Sequence, residues 1–196
     1  MDEICVVPEE VLNTISTKAL LITCLNYPRL IDLFLASDLQ TGFNFYSSHF
    51  NGLANLLKRP DLSKVLLTTY SEFDYSSNQI KGYDQKFTSK QIAFFECILA
   101  QKEIIKTFEK NNRLQLLSQA IKNLEQRKRH KESFYRQRTT ALILSRILFS
   151  ENLGLSRVDP YGNDIFEIFN TNVVVLDTSI FDQLLLASKE LIKKIQ

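Results

Sequence analysis

The sequence predicts a mainly α-helical protein, a multi-helix bundle with room for one small β-hairpin near residues 164–177. Three observations carry that expectation. Glycine and proline are scarce, at five and four in 196 residues, whereas all-β chains use both freely at their frequent turns. Apolar residues recur three and four apart through most of the chain, which lines one face of a helix. One run, Ala141, Leu142, Ile143, Leu144, Ile147, Leu148 and Phe149, is apolar nearly all round, as in a helix at the centre of its bundle.

Taken in order, Leu12, Ile15, Ala19 and Ile22 predict one helix over 9–25, ended by Pro28 through its restriction of Tyr27. Proline suits a first helical turn, so Pro28 is expected to open the next helix, with Leu30, Leu33, Phe34 and Leu35. Pro60, Leu62, Val65, Leu66 and Leu67 echo that pattern 32 residues later, a spacing seen in stacked helical arrays. Residues 41–52 read as a loop or a short helix. Residues 76–88 read as a linker between an N-terminal helical unit, 1–75, and a C-terminal bundle, 89–196, unless 1–196 is one domain. Thr88 or Ser89 is expected to cap a helix carrying Ile92, Phe95, Ile98, Leu99, Ile105 and Phe108, with a break at Asn111–Asn112.

Leu114, Leu117, Ile121 and Leu124 form a seam shorter than two heptads, suited to packing within its own bundle. A polar bend is expected over His130–Ser133, and Gly154 stands where a helix C-cap glycine would. Asp159–Asp164 reads as a turn. Ile165–Phe169 and Val173–Leu176 are the hairpin's expected strands, because β-branched residues suit a pleated surface. Ser179 and Asp182 resemble a capping box for the last helix, whose Lys189, Lys193 and Lys194 suit its negative end.

The catalytic inventory is poor. There are two histidines, His49 and His130, neither with a second histidine a helical turn away, and no phosphate-binding loop or nucleophile elbow. Cys5, Cys24 and Cys97 are far apart, odd in number and without a C-x-x-C pair, which argues against a disulfide framework and a thiolate zinc site. No metal and no cofactor are expected. The apolar windows 19–25 and 139–149 fall well short of the ~20 residues a bilayer needs, so a cytoplasmic chain without membrane contact is expected.

Net charge is +2, but it is unevenly spread. Seven bases against two acids leave +5 over 122–138, hence −3 elsewhere. Arg127, Lys128, Arg129 and Lys131 are therefore the candidate contacts to a polyanion, with Phe134 and Tyr135 beside them to stack on bases. Phe43, Phe45, Tyr46 and Phe50 are the candidate docking residues for a partner. Arg146, inside the apolar run, is expected to reach water or a helix-end carbonyl, with a buried carboxylate or a bound anion as alternatives.

These features predict a non-catalytic interaction protein or structural subunit, self-associating or bound to another protein. A nucleic-acid-associated protein using the basic corner is the alternative. An enzyme assembled from distant segments is the third reading.

Overall fold

The computed structural model describes residues 6–74, 78–81, 86–132, 134–153, 155–175 and 177–195. Helix accounts for 70%, so the protein is mainly α-helical. Two compact units divide the chain between Phe95 and Glu96, inside one helix.

The first unit contains α1 (Glu9–Thr14), α2 (Thr17–Leu25), a 3₁₀ helix (Leu30–Leu35), α3 (Leu39–His49), α4 (Asn51–Leu56) and α5 (Leu62–Glu72). A two-stranded hairpin follows, pairing Phe73 with Ile80 and Asp74 with Gln79, and then α6 (Ser89–Leu99) begins. The single helix expected over 9–25 is two. Ile15 is extended, and the Ser16 hydroxyl accepts the Ala19 N–H at 3.2 Å to start α2 anew. The buried face moves accordingly, to Leu20, Leu21, Cys24 and Leu25, while Ala19 is exposed. The two proline-led segments do not share a form, since the first is a six-residue 3₁₀ helix and the second an eleven-residue α-helix.

Gly42 lets α3 close on the 3₁₀ helix, because a Cβ there would lie 2.2 Å from the Leu33 carbonyl oxygen. Thr88 and Gln91 form a reciprocal capping box at the start of α6. The Thr88 hydroxyl accepts the Gln91 N–H, and the Gln91 side chain accepts the Thr88 N–H at 2.7 Å. Of the expected linker, residues 76–77 and 82–85 lie outside the described residues, and Gln79–Ile80 is a strand.

The second unit takes the end of α6, then α7 (Lys102–Thr107), α8 (Lys110–Arg129), α9 (Phe134–Ser150), α10 (Ile165–Asn172) and α11 (Ile180–Ile195). Helix α9 is central, packing on α7, α8, α10 and α11. Leu142, Ile143, Leu144, Ile147 and Leu148 are at most 1% exposed. The α8 seam faces inward, with Leu117 and Leu124 fully buried, and α8 packs on α9 and α11. The break expected at Asn111–Asn112 falls instead at Ala100–Gln101 and Phe108–Glu109, where Gln101 and Phe108 turn extended.

The hairpin expected near 164–177 is not there. Ile165–Asn172 is α10, because Ile165, Phe166 and Phe169 share one helical face and the Asp164 carboxylate accepts the Phe166 and Glu167 N–H groups. Val173 ends it in the left-handed region, Val174 and Val175 join no strand, and Leu176 lies outside the described residues. Asn152, at φ 55°, closes α9 in a Schellman turn, with the Leu153 N–H on the Leu148 carbonyl at 2.9 Å. That is the task the sequence suggested for Gly154, which lies outside the described residues. Ser179 and Asp182 do not reproduce a capping box through their side chains. The Ser179 hydroxyl accepts Arg157, and Asp182 pairs with Lys128.

With few glycines or prolines to shape the breaks, arginines close several helix ends. Arg59 donates to the Leu12 carbonyl in the first unit. In the second, Arg113 donates to Phe108 at 2.6 Å, and Arg146 to Ala100 at 3.0 Å and Asn170 at 3.2 Å. Carbonyls at a helix end lack an intrahelical partner, and a buried one needs a donor from elsewhere.

Candidate functional site

The basic corner comes apart into separate tasks. Arg127 is 2% exposed, so it does not face a polyanion. The α8 seam explains why: Leu117, Ile121 and Leu124 are followed three residues on by Arg127, on the same inward face. Its guanidinium lies 3.4 Å from a carboxylate oxygen of Glu96, which is fully buried. Glu96 also accepts the hydroxyls of Thr139 at 2.5 Å and Thr140 at 2.8 Å. A buried charge is tolerated only when paired and hydrogen-bonded, and this cluster supplies both conditions.

Lys128 is half-buried and paired with Asp182. Arg129 and Lys131 remain exposed, without an ion pair among the described residues. The Phe134 and Tyr135 side chains expected beside them lie outside the described residues.

Lys131 has a local backbone role. Its φ is 50°, its N–H bonds the Lys128 carbonyl at 3.0 Å, and the Glu132 N–H bonds the Arg127 carbonyl at 3.0 Å. That pair of bonds is a Schellman C-cap with lysine where glycine is favoured. Lys131→Gly is therefore expected to raise stability, by about 0.5–1 kcal/mol, since a left-handed backbone costs an L-residue ~1–2 kcal/mol and glycine returns part of that as chain entropy. Chemical denaturation reads the change, and a loss of stability would contradict the capping role.

Three of the four candidate docking aromatics belong to the first unit's core. Phe43, Tyr46 and Phe50 are 3–4% exposed, with Tyr46 edge-on to Phe94 at 5.3 Å. The helical spacing of Phe43 and Tyr46 on α3, with Phe50 as its C-cap, turns them inward. Phe45 alone is exposed, stacked on His49 at 4.0 Å.

Among the described residues the most outward aromatic is Tyr161, which the sequence places in a turn but does not mark for docking. Tyr161 is 90% exposed, in the turn preceding α10, with Val158 at 63% beside it. The turn is closed by main-chain bonds from Asp159 N–H to Asn163 at 2.9 Å, Gly162 N–H to Asp159 at 3.0 Å and Ile165 N–H to Arg157 at 3.0 Å. The Asp159 carboxylate accepts the Tyr161 N–H at 2.8 Å and the Asn163 N–H at 2.9 Å. The Asn163 side-chain amide, which also donates to it at 3.0 Å, and then these N–H groups hold its carboxyl below the usual range. Gly162 sits at φ 87°, which the turn needs and which glycine adopts freely. Arg157 anchors the base through Asp177 and Ser179. A groove of about 650 Å³ runs along this turn, bounded by Pro160, Tyr161, Ile165 and the Arg157–Asp177 pair.

Other chemistry is sparse. Burial pushes the Cys24 and Cys97 thiols up to about 12, leaving them neutral and weakly nucleophilic at pH 7. Among the described residues no three His, Cys, Asp or Glu side chains gather as metal ligands. No described helix is long and apolar enough to cross a membrane. No family model, no curated protein and no solved structure matches this chain.

Proposed function

We propose that the chain is a non-catalytic protein-interaction subunit of the cytoplasm that docks another protein through the Tyr161 turn. One observation carries the reading: a turn held by five hydrogen bonds presents Val158 and Tyr161 to solvent at 63% and 90% exposure. An exposed tyrosine on a pre-ordered loop loses little freedom on binding, and buried tyrosines are enriched among the residues that dominate interface energies. Free thiols at Cys24 and Cys97 suit a reducing compartment. The nucleic-acid alternative loses support, because Arg127 and Lys128 are occupied inside the second unit.

The test is a Val158→Asp, Tyr161→Ala double variant beside the parent. Both side chains are exposed, so the variant is expected to melt with the parent. Light scattering over a concentration series reads self-association, and quantitative co-purification from the native cell reads a second protein. The expected result is loss of the parent's stoichiometric partner, whichever it is. A parent that is monomeric and partnerless, or a variant that keeps the partner, would contradict the reading.

A further inference from the structure

The groove beside Tyr161 is acidic. Between Leu155 and Ser179 stand four acids, Asp159, Asp164, Glu167 and Asp177, against one base, Arg157. Arg157 pairs with Asp177. The Asp164 carboxylate caps α10, and Glu167 has Lys102 as an opposing charge. Asp159 has no cation partner among the described residues, and the others include no lysine, arginine or histidine. Its Oδ1 accepts the Tyr161 and Asn163 N–H groups at 2.8 and 2.9 Å, whereas Oδ2 accepts the Asn163 amide at 3.0 Å. Each carboxylate oxygen has about two acceptor sites, so Oδ2 retains room for a further donor. Two residues on, the Tyr161 ring stands 90% exposed, and Val158 and Pro160 supply apolar surface to the same groove.

We propose that this groove receives a basic segment of the partner protein, with an arginine against the Asp159 carboxylate and the Tyr161 ring and an apolar neighbour on Val158 and Pro160. The proposal rests on the docking reading of the same turn and adds the chemistry of what docks. A neutral apolar partner would cover the Asp159 charge without compensating it, which is costly. An acidic partner would set like charges together. A cation answers both the carboxylate and the electron-rich ring face. Arginine suits the pair better than lysine, because its planar guanidinium is more weakly hydrated, stacks on an aromatic ring and donates in the ring plane to a carboxylate.

The probes are capped peptides with one central residue between leucines: arginine, its uncharged isostere citrulline, or glutamate. Calorimetry on the full chain is expected to give the arginine peptide a Kd near ~1 mM or tighter. The citrulline and glutamate peptides are expected to bind at least about tenfold more weakly, and added salt to weaken the arginine peptide. Asp159→Asn removes the charge but keeps an oxygen for the Tyr161 and Asn163 N–H groups. It is expected to weaken the arginine peptide about tenfold and leave the citrulline peptide unchanged, which a disrupted turn would not do. Tyr161→Leu keeps apolar bulk without the ring and is expected to weaken the arginine peptide severalfold. Equal binding of the arginine and citrulline peptides, tighter binding of the glutamate peptide, arginine binding unchanged in both variants, or no arginine binding at about ten times that concentration would each overturn the proposal. Any of these, with the native partner still lost from the Val158→Asp, Tyr161→Ala variant, overturns the basic segment alone. A partner kept by that double variant overturns the docking reading and this proposal with it.

Discussion

Arg127→Ala is expected to destabilise the second unit by about 3–5 kcal/mol, the range for removing one partner of a buried ion pair. Truncation would take the Arg127 guanidinium from the fully buried Glu96 carboxylate, which also accepts the Thr139 and Thr140 hydroxyls, and would remove the bond to the Arg136 carbonyl. Lys131→Ala, four residues on and exposed, is expected to change stability by no more than about 0.5 kcal/mol. The pairing itself is read by a cycle with Glu96→Gln. The double variant is expected to be less destabilised than the sum of the singles, because both singles break the same Arg127–Glu96 pair. Denaturant unfolding, followed by amide exchange in α8 and α9 so that the two units are resolved, makes the measurement. Equal, small effects at Arg127 and Lys131 would show that the arginine sits at a solvated surface.

The second large effect is at the centre of the bundle. Leu144→Ala is expected to cost about 2–5 kcal/mol, because Leu144 is wholly buried in α9 and the cavity left behind is closed in by packed helices. Leu186 on α11 is 60% exposed, and its alanine variant is expected to stay within about 0.5 kcal/mol of the parent. The same unfolding measurement distinguishes them, and a Leu144 loss below about 0.5 kcal/mol would place α9 at the periphery instead.

Much of the helical architecture was legible because it rests on periodicity. The central α9, the inward α8 seam and the cap at Thr88 all follow from residue spacing and from side-chain oxygens matched to free N–H groups. The segment 165–172 was misread because Ile165, Phe166, Ile168 and Phe169 satisfy both a short apolar strand and a helix face. Asp164 resolves the ambiguity, being a helix cap that a strand has no use for. The breaks at Ser16 and Ala100 carry no glycine or proline. Ser16 is a cap in plain sight, whereas Ala100 depends on a donor from Arg146, 46 residues away.

The charged sites were harder for a related reason. Net charge along a segment says nothing of which side each base faces, and Arg127 was grouped with its neighbours although it continues the apolar seam. Glu96, between Phe95 and Cys97 on a buried stretch, was a visible anomaly whose partners come from α8 and α9. Of the partners that its place in the apolar run allows, water, a helix-end carbonyl, a carboxylate or an anion, Arg146 reaches the Ala100 and Asn170 carbonyls. Tyr161 was placed in a turn, but its exposure depends on how Asp159 and Arg157 tie that turn down.

The docking role of that turn is tested most directly by placing a photoreactive phenylalanine analogue at position 161 in the full chain, irradiating in the native cell and identifying the adduct by mass spectrometry. The account predicts a covalent adduct to one protein species in stoichiometric amount, absent when the same analogue stands at exposed Lys131. An adduct to nucleic acid, a diffuse set of proteins shared with position 131, or no adduct at all would contradict it.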